Sequence, residues 1–140
     1  MPEARPARGL IDTSVLIELD QLDPNALPTE IAISAVTLAE LAAGPHATSD
    51  AAERARRQDL LQRAEATFEP IAIDAAVARA YGRVYAAILD AGRKARGRRA
   101  LDLLIAATAV ATQLPLYTRN ASDFDGLQSV LDVISLDPVL

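Results

Sequence analysis

Three carboxylates in this chain each stand alone inside an apolar segment. Asp12 lies in Leu-Ile-Asp-Thr-Ser-Val-Leu, Glu40 in Thr-Leu-Ala-Glu-Leu-Ala, and Asp102 in Leu-Asp-Leu-Leu-Ile-Ala. Burying a carboxylate without a partner is energetically costly, and no Lys or Arg close in sequence pairs obviously with Asp12 or Glu40. A hard divalent cation shared by the three is the simplest way to offset that cost.

The composition limits the kind of cation. The chain has no Cys and a single His, His46, which excludes disulfides, thiolate zinc sites and metal sites built on two His. The ligands that remain are oxygens, which favour Mg²⁺ or Mn²⁺. The lack of Cys also fits a cytoplasmic protein. We expect that location, with no membrane association, because the sequence has neither an apolar span of roughly 20 residues nor a signal peptide.

A cluster of basic residues is the second chemical feature. The formal net charge is −5, which disfavours nucleic acid binding over the surface as a whole. Five of the seven residues from 93 to 99 are nevertheless basic, namely Arg93, Lys94, Arg96, Arg98 and Arg99. This loop directly precedes Asp102, and Arg suits bidentate contacts to phosphate. The loop therefore predicts a cationic rim, able to bind phosphate groups, beside the acidic residues.

Strands and helices alternate along the 140 residues, which predicts a single α/β domain over residues 1–140. Such alternation implies right-handed crossovers and a parallel sheet with helices on both faces. We predict five strands, at residues 9–13, 31–33, 71–73, 116–118 and 133–136. The helices are predicted from 15 to about 21 with Ser14 as the N-cap, from Ser34 or Thr37 to the Gly44-Pro45 stop, from 49 to 66, after Asp74, and from 100 to 113.

The predicted topology brings most of the acids to one edge of the sheet. Ligands of open parallel sheets bind beyond the carboxyl ends of the strands. Asp12 ends the first strand, Asp123 follows the fourth, and Glu40 lies in the second turn of the helix after the second strand. Asp102 joins them only if its helix begins near the same edge, which the sequence does not force.

These residues, in this order, resemble PIN-domain ribonucleases, and most of all the VapC-type toxins of type II toxin–antitoxin systems. The motifs are Leu-Ile-Asp-Thr-Ser, Thr-Leu-Ala-Glu-Leu, Leu-Asp-Leu-Leu-Ile-Ala and Thr-Arg-Asn-Ala-Ser-Asp-Phe. The resemblance implies a three-layer α/β/α sandwich around a short parallel five-stranded sheet. It also places the helix with the third acid at the pocket. The four acids of the family correspond to Asp12, Glu40, Asp102 and Asp123 in this chain, and Asp125 is the alternative for the fourth.

The resemblance implies a Mg²⁺-dependent endoribonuclease, with Mn²⁺ as an alternative ion, that cuts structured RNA such as tRNA or rRNA by a metal-activated water. We predict Asp12 and Asp102 as direct ligands, and Glu40 and Asp123 as residues that hold metal waters, orient the nucleophilic water or complete a second site. The hydrogen-bonding side chains that orient these groups are predicted to be Thr13, Thr118 and Asn120.

Partners and alternatives also follow. The resemblance implies a homodimer that is held inactive by a small antitoxin. The helix from about 49 to 66 and the second helix could form the groove that binds the antitoxin. The main alternative is a catalytically inactive PIN-like module that binds RNA or protein. A haloacid-dehalogenase-like phosphotransferase needs an Asp where this chain has Ser14. A receiver domain needs a Lys after a late strand, whereas the single Lys is Lys94.

Overall fold

Four short parallel strands form the central sheet of the computed structural model, which describes residues 7–92 and 98–136 and omits the side chains of Arg98 and Arg99. The strands lie in the order β2-β1-β3-β4. The bounds are β1 Arg8–Ile11, β2 Glu30–Ala32, β3 Leu116–Thr118 and β4 Val133–Ser135. Because β1 and β3 are central, the residues after them meet at the middle of the carboxyl edge.

Within the described residues, five α-helices surround the sheet, with short 3₁₀ turns between some of them. Their bounds are α1 Thr13–Ile17, α2 Ala35–Ala43, α3 Ala51–Thr67, α4 Ala75–Asp90 and α5 Arg98–Thr112. Three predicted helix starts are confirmed by side-chain caps, since Ser34, Asp50 and Asp74 each accept a bond from a first-turn N–H. A 3₁₀ turn over Ala121–Phe124 follows β3.

The alternation of side chains along the central strands produces two cores. Leu10 and Leu116 pack on one face with residues of α4 and α5, while Ile11 and Tyr117 pack on the other face with residues of α1 and α3. All four of these side chains are essentially inaccessible to solvent. The predicted three-layer α/β/α arrangement is therefore confirmed.

The predicted strand at residues 71–73 is wrong, so the described sheet has four strands rather than five. Ile71 forms only an isolated parallel bridge with Ser34. Its N–H donates to the carbonyl of Ile33 at 2.9 Å, and its own carbonyl accepts from Ala35 N at 2.9 Å. The ladder stops there because Ile73 is exposed and Asp74 already caps α4.

The first helix also begins earlier than predicted. Asp12, not Ser14, is its N-cap, because Oδ1 of Asp12 accepts from Val15 N at 3.1 Å. The helix ends at Ile17, and a 3₁₀ turn over Leu19–Gln21 replaces its predicted last turn. Among the described residues, no helix has the length and apolar character needed to cross a membrane.

Candidate active site

Asp12 is the buried carboxylate at the centre of the site. It directly follows β1, and only 6% of the residue is exposed. Its Oδ1 accepts from Ser14 Oγ at 2.6 Å and from Val15 N at 3.1 Å. Its Oδ2 accepts from Thr118 Oγ1 at 2.5 Å. A carboxylate oxygen has two lone pairs, so Oδ2 keeps an acceptor position for a ligand in the cleft.

Backbone N–H groups set the direction in which the two hydroxyls donate. Arg119 N donates to Ser14 Oγ at 3.2 Å, and Asn120 N donates to Thr118 Oγ1 at 3.0 Å. Since a hydroxyl has a single proton, each of these groups accepts from the amide and donates to Asp12. The loop after β3 therefore orients a carboxylate that precedes it by more than a hundred residues.

Burial raises the pKa of Asp12 above its ordinary value of 3.8, because desolvation disfavours the charged form. The hydrogen bonds from Ser14 and Thr118, followed by that from the N–H of Val15, act in the opposite direction and lower the pKa. Desolvation is the largest of these effects. A cation bound beside Asp12 would offset it, because an opposite charge favours the ionised carboxylate.

Glu40 is held by the first residue of the neighbouring helix. It is half-buried in α2, and its Oε1 accepts from Thr13 Oγ1 at 2.7 Å. Thr37 Oγ1 lies 3.1 Å from the same Thr13 oxygen, so Thr37 can donate to Thr13 while Thr13 donates to Glu40. Because Thr13 directly follows Asp12, the start of α1 connects the two carboxylates.

The four predicted acids line one open cleft of about 380 Å³ at the carboxyl edge of the sheet. Asp102 reaches it because α5 begins near that edge, and Asp123 reaches it from the 3₁₀ turn after β3. Asp125 is exposed and is absent from the described lining, so the geometry favours Asp123 as the fourth acid. The lining consists of Asp12, Thr13, Ser14, Ile17, Glu18, Glu40, Asp102, Arg119, Asn120 and Asp123.

A second cavity of about 520 Å³ adjoins this cleft, from which it takes Thr13, Ile17 and Glu40. Its opposite wall is α3, and its remaining lining residues are Leu41, Gly44, Glu53, Arg56, Arg57, Asp59, Leu60 and Arg63. Residues of α2 and α3, the two helices that could form the antitoxin groove, line this cavity. It is mixed in charge, whereas the cleft is dominated by acids.

Comparison with known proteins places this arrangement in a family. The PIN domain family matches residues 9–127, a range that contains all four acids. The chain belongs to the PIN domain family. The predicted resemblance is therefore confirmed, and the cleft of this PIN domain is formed by the same four motifs from which the resemblance was inferred.

The proteins to which this PIN domain is similar include VapC ribonucleases. It is 36% identical over 131 residues to Ribonuclease VapC5 of Mycobacterium tuberculosis, covering 91% of this chain and 93% of the relative. It is 38% identical over 110 residues to Ribonuclease VapC8 of the same species, covering 78% and 96%. The crystal structure of VapBC-5, a toxin–antitoxin system member from M. tuberculosis, has a TM-score of 0.79 at 37% identity and covers 93% of this chain and 98% of its own.

The donor set of this PIN domain fits a hard cation. The described cleft offers carboxylates, hydroxyls and an amide, and neither His nor Cys lines it. Within residues 7–92 and 98–136, no three acidic or imidazole side chains converge closely enough to form a preformed ion cage. Mg²⁺ is compatible with such a site, because it usually keeps several waters and takes one or two carboxylates directly.

Two residues of the cleft were missed by the reasoning from sequence. Ser14 was assigned only as a helix cap, although its spacing of two from Asp12 is a signal for a local side-chain bond. Arg119 received no role, although it lies inside a recognised motif and in the cleft wall. Of the predicted orienting residues, Thr13 and Thr118 bond the carboxylates, and Asn120 lines the cleft and uses its backbone N–H.

The predicted RNA-binding residues stay a prediction. Residues 93–97, which include Arg93, Lys94 and Arg96, lie outside the described part of the chain. Arg98 and Arg99 begin α5, but their side chains also lie outside the description.

Proposed function

We propose that this PIN domain is a metal-dependent endoribonuclease and the toxic component of a toxin–antitoxin pair. The supporting observation is the convergence of four acids from four separate segments on one cleft, with Asp12 buried and oriented there. The names of its relatives agree, since VapC5 and VapC8 are ribonucleases and VapBC-5 is a toxin–antitoxin system.

The proposed cofactor is Mg²⁺, or Mn²⁺ in its place, with Asp12 and Asp102 as the direct ligands. When bound, the ion would supply an activated water and would neutralise charge on the phosphate in the transition state. Asp12 contributes an ionised carboxylate whose orientation is fixed before the ion arrives, because Ser14 and Thr118 hold it. Such preorganisation lowers the cost of assembling the site.

Glu40 and Asp123 are proposed to act on water rather than as direct ligands. Glu40 has one oxygen held by Thr13, so the other can orient a water or accept its proton. Asp123 lines the cleft from the loop after β3 and can hold a water on that side. The leaving oxygen of the cleaved strand would take its proton from solvent, because this open cleft does not exclude water.

The proposed substrate is structured RNA, such as tRNA or rRNA. Aromatic residues make up only 4% of the chain, which leaves few side chains to stack on bases. Recognition would then depend on the sugar-phosphate backbone and on RNA shape. The predicted basic segment at residues 93–99 is suited to backbone contacts because it is rich in Arg.

The proposed partners are a small antitoxin and a second copy of the chain. The cavity between α2 and α3 adjoins the cleft, so an antitoxin segment there would also control access to the acids. Tyr85 and Leu89 of α4, and Leu101 of α5, are large apolar side chains exposed on neighbouring helices. We propose that they contribute to the homodimer contact, because burial of such residues favours association.

The function is tested by incubating total RNA with the wild type, with Asp12→Asn and with Asp102→Asn, each in Mg²⁺, in Mn²⁺ and in a chelator. We expect discrete cleavage products only for the wild type with metal, and sequencing of their ends would identify the substrate. Cleavage that persists in the chelator or in both variants would contradict the mechanism. RNA binding without cleavage by the wild type would favour the inactive binding module.

A further inference from the structure

Arg119 is a positive charge in the wall of a negative cleft. Among the described residues that line the cleft, five carry carboxylates and Arg119 alone carries a cation. An RNA phosphate that enters the cleft meets those carboxylates and is repelled unless cations compensate. Arg119 is the described side chain best placed to provide part of that compensation, and nothing above gives it a role.

The guanidinium of Arg119 is only partly satisfied where it lies. Its side chain is 19% exposed, and Nη1 forms an ion pair with Oε2 of Glu18, the residue that directly follows α1. Its Nε is buried and has no hydrogen-bond partner among the described residues. A buried donor without an acceptor is costly, so this contact with Glu18 leaves a guanidinium donor for which the described part of the chain supplies no acceptor.

The backbone of Arg119 is fixed close to the centre of the site. It follows β3 directly, and its N–H donates to Ser14 Oγ, which in turn bonds Asp12. Glu18 and Arg119 both line the cleft, so a rotation of the Arg119 side chain alone, without movement of this backbone, would suffice to exchange Glu18 for a phosphate bound there. The long side chain of Arg has the rotamer freedom that such a movement needs.

We propose that Arg119 binds a phosphate of the RNA strand in the cleft, and that the phosphate replaces Glu18 as its anionic partner. A phosphodiester presents two oxygens, which match Nε and Nη of a guanidinium in a bidentate contact. The exchange satisfies Nε, and Glu18 acts as a resting counter-ion that competes with substrate. This role depends on the proposed ribonuclease function, but it concerns binding and can be measured without cleavage.

The test compares Arg119→Gln, Arg119→Lys and Glu18→Gln with the wild type. The matched control is Arg79→Gln, which removes the same charge from an exposed position of α4 outside the described cleft lining. Binding of a fluorescently labelled RNA stem–loop is measured by anisotropy in a chelator at low salt, so that no turnover occurs. Thermal unfolding of each variant is recorded beside it to detect any loss of folding.

We expect Arg119→Gln to raise the Kd by about 10- to 100-fold, in line with the loss of a charge-assisted hydrogen bond. The Kd of Arg119→Lys should lie between those of the wild type and Arg119→Gln, because Lys keeps the positive charge but cannot form the bidentate contact. Glu18→Gln should lower the Kd about two- to fivefold, as expected when a weak competing ion pair is removed. Arg79→Gln should bind like the wild type, apart from a small loss common to any removed charge.

Opposite effects of the two partners distinguish substrate binding from a structural ion pair. If Arg119 only anchored the end of α1, Glu18→Gln and Arg119→Gln would weaken binding together, and that result would overturn the proposal. Equal Kd values for Arg119→Gln and Arg79→Gln would also overturn it. A wild type that binds RNA but does not cleave it with Mg²⁺ would contradict the proposed function, while the binding data would still decide the role of Arg119.

Discussion

Thr118 Oγ1 donates a 2.5 Å hydrogen bond to Oδ2 of Asp12, although 106 positions separate the two residues in sequence. Both residues are buried. The contact follows from the sheet, because Ile11 and Tyr117 are register partners in adjacent parallel strands and the next residue of each strand lies at the same edge. The strand pairing that builds the core thus also orients the carboxylate.

Thr118→Val is the first prediction, since it keeps the shape of the side chain and removes the hydroxyl. Asp12 would lose a donor, and the N–H of Asn120 would lose its acceptor. We expect the cleavage rate to fall by about 10-fold or more and stability to drop by roughly 1–3 kcal/mol, as for an unsatisfied buried group. The control is Thr112→Val in α5, whose hydroxyl bonds only backbone carbonyls of its own helix. Equal activity of the two variants would contradict an orienting role for Thr118.

The raised pKa of Asp12 predicts how stability depends on pH in the absence of metal. Because the pKa of this carboxyl is higher in the folded state than its ordinary 3.8, folding favours the protonated form. The associated stability is fully present below that ordinary value and is lost as the pH rises through the folded-state pKa. The Asp12→Asn variant has no carboxyl at this position, so it cannot lose this contribution. Its free energy of unfolding should therefore increase relative to that of the wild type as the pH rises.

Urea denaturation of both proteins in a chelator, from about pH 4 to about pH 8, measures this difference. All other titrating groups are common to the two proteins, so their contributions cancel to a first approximation. A difference in unfolding free energy that stays constant over this range, or that moves in the opposite direction, would show that burial does not raise the pKa of Asp12. Added Mg²⁺ should reduce the difference, because it stabilises only the wild type.

Glu40→Gln separates the charge of Glu40 from its place in the structure. The amide oxygen can still accept from Thr13, so the fold should be retained. We expect the cleavage rate to fall by about 100-fold or more, typical of the loss of a group that handles a proton. The exposed Glu69 provides the control, since Glu69→Gln removes the same charge elsewhere. A full rate for Glu40→Gln would exclude Glu40 from the reaction.

Two glycines make a matched pair for packing at the sheet. A Cβ on Gly9 in β1 would clash with the ring of Tyr117 and would lie 3.0 Å from Cγ of Pro28. Gly82 in α4 has open space around the same position. We expect Gly9→Ala to lower stability by about 1–3 kcal/mol and Gly82→Ala to raise it by roughly 0.5–1 kcal/mol. Thermal unfolding checks both signs, and a Gly9→Ala protein as stable as the wild type would contradict the close approach.

The sequence predicted the class of the fold and the contents of the cleft because both depend on short-range patterns. Apolar strand segments alternating with helices predict a layered sheet, and a lone acid at a strand end predicts a site at that edge. The position of Asp102 at the cleft was harder to predict, because it depends on the path of the chain before α5. Resemblance to a family supplied that path, and the structure agrees.

The errors arose where tertiary contacts decide between local alternatives. Ile71 and Ile73 have strand-forming side chains, but Asp74 starts α4 so early that only one residue can pair. Ser14 is a good N-cap residue by type, yet the N–H of Arg119 engages its hydroxyl and directs it to Asp12. No local pattern reveals an amide that arrives from a loop after β3.

The dependence of the cleavage rate on Mg²⁺ concentration is the most direct test of the four-acid cleft. It should be measured on one RNA for the wild type, Asp12→Asn, Asp102→Asn and the exposed control Asp125→Asn. We predict saturable activation by Mg²⁺ for the wild type and Asp125→Asn, and a loss of at least about 100-fold for the other two variants at every concentration. Cleavage that needs no metal, or that survives both Asp12→Asn and Asp102→Asn, would contradict a metal-dependent ribonuclease site in this cleft.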